Sequence, residues 1–141
     1  MIAFRGTLGT TQLFLESESI LFENKTAWVA GGMVSTYFYN AFMKVWTAGV
    51  KDDFLTLATK YGDYELWVVG HSLGGSMAAL AASYIEKMNL FDGNRMKLVT
   101  FGQPRTGDRT FAAAVGNQVN VKIVVVLHKR YRKHGSLTIP Q

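Results

Sequence analysis

The apolar positions of this chain fall into short continuous runs separated by stretches with helical spacing, and their alternation sets the expected architecture. Ile2–Arg5 reads as a brief apolar strand that stops at Gly6. Leu8–Phe22 mixes Leu8, Leu13, Phe14, Leu15, Ile20, Leu21 and Phe22 with Thr, Ser and Glu in neither the period of 2 nor that of 3.6. Two readings stay open for it: an irregular loop or strand pair, or a mobile flap that is apolar on its inner surface. Trp28–Ala30 suggests a second strand and Gly31-Gly32 a turn. From Met33 to Tyr61, Val34, Tyr37, Phe38, Ala41, Phe42, Val45, Phe54, Leu55 and Ala58 recur at intervals of three and four, which predicts one long helix. Gly49 inside it marks a kink or a close packing contact.

Glu65–Val69 follows Gly62 as a buried strand, its unbroken Leu-Trp-Val-Val run suiting a parallel sheet covered on both faces. A helix pattern starts near Ser76, with Met77, Leu80, Ala81, Tyr84, Ile85 and Met88 on one face and alanines at 78, 79, 81 and 82 that permit close approach to a sheet. Asp92-Gly93-Asn94 turns the chain into a strand, Met96–Phe101, which ends at Gly102-Gln103-Pro104. Asp108 can cap a short helix from Arg109 to about Val115 by accepting its first free N–H groups. Val119–Leu127 is β-branched enough for a further strand. Strands alternating with helices indicate an α/β fold with a mostly parallel central sheet.

With 141 residues, 48 % of them hydrophobic, the chain has the size of one domain and buries a core without metal or disulfide. It has no cysteine, which excludes a disulfide framework, a thiolate nucleophile and a cysteine-ligated zinc. Met1–Thr7 lacks the basic and apolar regions of a secretory signal, and no run approaches the roughly 18 apolar residues of a membrane span. The net charge of +5 is uneven: up to Asp108 there are 9 Lys and Arg against all 10 Asp and Glu, whereas the rest holds Arg109, Lys122, Lys129, Arg130, Arg132 and Lys133 and no acid. The basic character belongs to the tail, a solvated end or an anionic-surface contact, and no nucleic-acid partner is expected.

Chemistry concentrates at Gly70-His71-Ser72-Leu73-Gly74-Gly75, between the apolar run and the helix. A Gly-x-Ser-x-Gly at a strand-to-helix junction resembles the nucleophile elbow of α/β-hydrolases, in which a strained turn lifts one hydroxyl to the carboxyl end of a sheet. Such a serine needs a histidine to take its proton and an acid to orient that histidine. It also needs N–H donors aimed at the oxyanion, each worth roughly 3 kcal/mol. The Leu73 N–H at the helix start is one candidate donor; the Gly6-Thr7 segment, with the Thr7 hydroxyl, is the other. Asp52 and Asp53 are adjacent, diverge by about 100° on a helix and form no catalytic pair. The aromatic stripe Tyr37, Phe38, Phe42 and Trp46 reads as core.

Three motifs in order, Phe4-Arg5-Gly6-Thr7, the elbow, and Thr100-Phe101-Gly102-Gln103-Pro104-Arg105-Thr106-Gly107, make the chain resemble the class 3, fungal-type triacylglycerol lipases from about Ile2 to Val115. The resemblance implies an α/β-hydrolase-like three-layer sandwich, a single partial domain incomplete at both ends, and a lipid or ester substrate met at a lipid interface. It implies Ser72 as nucleophile, Thr7 and Leu73 as oxyanion hole and the segment after Thr7 as lid, with no cofactor and no metal. His71 belongs to the family's elbow and is not its general base.

The chain departs from the family where the acid and base are due. The strand after the Gly-Gln-Pro segment is followed in the family by a turn carrying the triad aspartate, typically Asp-Ile-Val-Pro, and later by the histidine. Here the stretch reads Leu127-His128-Lys129-Arg130-Tyr131-Arg132-Lys133-His134, and no acid follows Asp108. Neither His128 nor His134 lies in a segment like the family's histidine loop, and Asp108 is a helix cap or a migrated acid. Two function classes are expected: an ester hydrolase of lipids, and a non-catalytic relative that binds lipid or protein.

Overall fold

The computed structural model describes residues 1–6 and 23–118 and the backbone of Asn120 and Val121. The expectations for Leu8–Phe22, for the strand beyond Val121 and for the basic tail lie outside the described residues. The elements in order are β1 (Ile2–Phe4), β2 (Lys25–Ala27), β3 (Met33–Ser35), α1 (Thr36–Val45), a π-helical turn (Trp46–Val50), α2 (Lys51–Lys60), β4 (Leu66–His71), α3 (Leu73–Lys87), a 3-10 turn (Gly93–Arg95), β5 (Met96–Phe101), α4 (Arg109–Gln118) and β6 (Asn120–Val121).

β1, β4, β5 and β6 pair side by side in that order, every pairing parallel, while β2 and β3 form a separate antiparallel hairpin. A parallel sheet backed by helices is the expected α/β architecture. Side chains in β4 and β5 alternate in burial: Leu66, Val68, Gly70, Met96, Leu98 and Thr100 are covered, whereas Trp67, His71 and Phe101 are exposed. One face of the sheet therefore packs against helices and the other is largely open among the described residues. The unbroken apolar run of β4 suggested cover on both faces; for the described residues that reading is corrected, because Trp67 remains 42 % exposed.

α3 is the central helix. Ala78, Ala79, Ala81 and Ala82 are buried together with Leu80 and Ile85, so the small residues admit the sheet on one side and α1 and α4 on others. Close approach on several sides explains why burial runs almost round the helix rather than along one stripe. The helix begins at Leu73, not near Ser76, and takes Gly74 and Gly75 into its first turn.

The long helix expected from Met33 to Tyr61 is interrupted twice. Met33–Ser35 is the return strand of the hairpin, and Gly49 at φ 136° breaks the remainder into α1 and α2. A Cβ on Gly49 would meet nothing within 4 Å, so this glycine serves a kink and not a packing contact. The strand expected at Trp28–Ala30 lies three residues earlier; Trp28 instead starts a tight turn, its N–H donating to the Gly32 carbonyl at 2.9 Å. The aromatic stripe is core at Phe38, Phe42 and Trp46, with Tyr37 half exposed. Trp28 joins it, its indole N–H donating to Ser83 Oγ at 2.9 Å.

Asp108 caps α4 as expected: its Oδ1 accepts from the Phe111 N–H at 2.8 Å. That bond, with smaller help from the Met33 and Thr110 N–H groups and Lys25, holds the carboxyl below its ordinary value of 3.8. A group whose folded pKa is depressed stabilises above its unfolded pKa and loses that contribution as pH falls through the folded one. Asp108→Ala is expected to lower Tm by a few degrees at pH 7, with the gap from the parent narrowing below pH 3.8 in thermal melts.

Candidate active site

Ser72 alone makes the turn between the end of β4 and the start of α3. Its backbone sits at φ 54° and ψ −127°, a conformation that costs a non-glycine residue on the order of 1–3 kcal/mol and persists only where the surroundings over-determine it. Here the Ser72 N–H donates to the Phe101 carbonyl at the end of β5, and the Ser72 carbonyl accepts from the Gly75 N–H, both at 2.8 Å. The glycines at the flanks let the backbones close on one another. A Cβ on Gly70 would strike the Gly74 carbonyl oxygen and stand 2.7 Å from the Gly75 nitrogen. One on Gly74 would strike the Phe4 carbonyl oxygen and stand 2.9 Å from the Arg5 carbonyl carbon.

These contacts gather at the carboxyl ends of β1, β4 and β5, the edge of an open parallel sheet where ligand crevices form. β1 delivers Gly6 there: a Cβ on it would lie 2.7 Å from the His71 carbonyl oxygen and 3.2 Å from Ser72 Cβ. Ser72 is 6 % exposed. The Leu73 N–H is the first of α3, where amides have no carbonyl one turn back and the helix dipole favours negative charge. The structure thus brings Ser72 and Leu73 together and runs the chain leading to Thr7 past them. Thr7 itself, His128 and His134 lie outside the described residues. His71 is exposed on the open sheet face and makes no hydrogen bond to Ser72 among the described residues. Asp108 is committed to α4 rather than to a histidine.

A cavity of about 440 Å³ is at the other end of the sheet, lined by Ile2, Leu66, Phe54, Leu57, Ala58 and Phe91. It sits at the amino ends of β1 and β4, away from Ser72. A second, about 260 Å³, lies behind residues 103–107 among β5, α3 and α4; the buried Thr100 hydroxyl on its wall has no hydrogen-bond partner among the described residues.

One polar group beside the elbow was not singled out from the sequence. The Gln103 side-chain amide donates to Thr106 Oγ1 at 2.9 Å, and that hydroxyl donates to Ser76 Oγ at 2.8 Å, with the Pro104 carbonyl a longer alternative acceptor at 3.2 Å. Ser76 is 0 % and Thr106 3 % exposed. A serine one turn after Ser72 in an alanine-rich helix was the available signal, since a hydroxyl there needs a partner once buried.

A family profile described as lipase (class 3) matches residues 1–130. A lipase of Caenorhabditis elegans is 36 % identical over 125 residues, which is 89 % of this chain and 34 % of the relative. A secreted mono- and diacylglycerol lipase of Fusarium solani is 34 % identical over 113 residues, 80 % of this chain and 30 % of the relative. The chain therefore spans about a third of the length of these relatives. Among solved structures, the lipase of Rhizopus microsporus var. chinensis superposes with TM-score 0.68 at 27 % identity, covering 86 % of this chain and 42 % of that one. A fungal lipase–inhibitor complex solved as a model for interfacial activation superposes with TM-score 0.69 at 26 % identity, covering 86 % and 46 %.

Proposed function

The chain belongs to the class 3 lipases, and from that premise we propose that it is a serine ester hydrolase of lipid metabolism, acting on acylglycerols or related carboxylic esters through Ser72. The observation that carries the proposal is the strained backbone of Ser72 at the carboxyl end of the parallel sheet, with the Leu73 N–H at a helix N-terminus beside it.

In this reaction Ser72 Oγ forms a bond to the ester carbonyl carbon and its proton passes to a base. The carbonyl oxygen takes up negative charge opposite the Leu73 N–H and Thr7. When the carbonyl re-forms, the bond to the alcohol breaks and the alcohol leaves with the proton; water then releases the acid from the serine by the same sequence. Acylglycerols are the favoured substrate class because the Fusarium solani relative is a mono- and diacylglycerol lipase. A lipid–water interface is the proposed setting, with the segment after Thr7 as its lid.

The step that lacks a described partner is the proton transfer, since His71 makes no bond to Ser72 and Asp108 caps a helix. The alternative reading is a non-catalytic relative that binds lipid esters or a protein. A fluorophosphonate probe separates the two. The hydrolase reading expects stoichiometric labelling of wild type at Ser72, none in Ser72→Ala, and turnover of p-nitrophenyl butyrate by wild type alone. Wild type that is folded by circular dichroism yet neither labels nor turns over the ester belongs to the second class.

A further inference from the structure

The elbow is gripped from two sides by unlike means. On the β1 side the grip is steric: the Phe4 and Arg5 backbone lies so close to Gly74 that no side chain fits between. On the β5 side, Gln103 packs on Gly75, where a Cβ would stand 3.0 Å from the Gln103 Cβ. One residue further along α3 the contact becomes a chain of hydrogen bonds, Gln103 to Thr106 to Ser76. The far end of that chain is itself braced. The Thr106 carbonyl accepts from the Ser35 N–H at 3.0 Å, Val34 bridges Gly107, and the Asp108 N–H donates to the Met33 carbonyl at 2.9 Å. The relay thus connects the β2–β3 hairpin, through residues 103–108, to the first turn of the helix that carries the elbow.

We propose that Gln103, Thr106 and Ser76 are positioning residues that set the rotation of the first turn of α3, and with it the aim of the Leu73 N–H at the oxyanion. None of the three need touch substrate. They act through Ser76, which is one turn from Ser72 and rotates with it as a unit. Steric contact with Phe4 limits how near the turn can come to β1 but does not resist rotation away from it; the directional bonds on the opposite side do. Because both hydroxyls are buried, the relay has no water to replace a lost partner, so its geometry is held more sharply than an exposed one would be. An oxyanion donor loses its effect steeply with misplacement, which makes the first turn of α3 the place where a remote bond acts on rate. The consequence for rate rests on the proposed function; the mechanical consequence for the elbow does not.

The test compares Thr106→Val, which keeps the shape and removes the hydroxyl, with Thr106→Ser, which restores it. Two readouts are taken: native-state exchange of the Gly75, Ser76 and Met77 amides against those of Ser83–Lys87, and fluorophosphonate labelling of Ser72 resolved into kinact and KI. The expected result for Thr106→Val is exchange about tenfold faster in the first turn with the distal half unchanged, and kinact about tenfold lower with KI unaltered. Thr106→Ser is expected to return both to wild type. Equal acceleration along the whole of α3, unchanged exchange in the first turn, or failure of Thr106→Ser to rescue overturns the proposal. Wild type that does not label sinks the hydrolase reading alone, since the exchange comparison still decides the relay. If Thr106→Val does not fold, Gln103→Met cuts the relay at its partly buried end and is held to the same exchange result.

Discussion

Gly74→Ala is expected to be among the most damaging single methyl additions in the protein, costing about 3 kcal/mol or more, the upper end of overpacking effects. The added Cβ would collide with the Phe4 carbonyl oxygen and stand 2.7 Å from the Phe4 carbonyl carbon. Both obstacles are backbone, so no side-chain rotation relieves them; either β1 leaves β4 or the first turn of α3 swings away. A domain of this size has about 5–15 kcal/mol in hand, so the variant should unfold at markedly lower urea and lose Ser72 labelling. Gly116→Ala is the control for the same chemical change. Its Cβ meets nothing within 4 Å in α4, and removing a helical glycine is expected to stabilise by about 0.5–1 kcal/mol. Urea midpoints moving in the same direction for the two variants would refute the steric account of the elbow.

Phe42→Ala is expected to cost about 3–5 kcal/mol. The ring is 1 % exposed, stacks on Trp46 at 5.7 Å and 24°, meets Trp28 edge-on at 5.7 Å and lies 5.5 Å from Tyr84. Those three rings come from the hairpin turn, the π-helical turn that follows α1, and α3, and Tyr84 also meets Trp28 at 6.0 Å and Trp46 at 5.5 Å, so the phenyl group sits within one aromatic cluster that ties these elements together. Removing it leaves a cavity whose walls are held by separate elements and cannot collapse together. Phe42→Leu keeps most of the volume and should cost less than half as much. The check is urea unfolding followed by tryptophan fluorescence, which reports Trp28 and Trp46 of the cluster together with the exposed Trp67. A cost under about 1 kcal/mol for Phe42→Ala would show that the cluster repacks freely.

Much of the local structure was legible along the chain. Met96–Phe101 is a strand with the bounds its pattern implies, Asp108 caps α4, and the Gly-x-Ser-x-Gly lies at a strand-to-helix junction. Each of these depends on a residue and its neighbours within about four positions. Met33–Ser35 shows where such reasoning stops. Apolar spacing continues smoothly from Val34 into α1, yet Val34 pairs with Thr26 and bridges Gly107, and pairing with a distant strand overrides the helical period. Trp67 is the same kind of case: four apolar residues in a row do not say which faces of a sheet have helices to cover them.

At the candidate site, the sequence by itself determined the identity of Ser72, the glycines around it, the Leu73 N–H that must follow, and the lack of any acid after Asp108. It did so because the candidate nucleophile, the turn and the helix start are consecutive residues and their pattern needs no distant partner to be recognised. Only the tertiary structure decided that Gly74 lies against Phe4 and that Ser76 bonds to Thr106 across 30 positions. Those are contacts between segments that the chain brings together by sheet register and helix packing. Their partners are selected by which faces happen to meet, a property that no window of neighbouring residues contains.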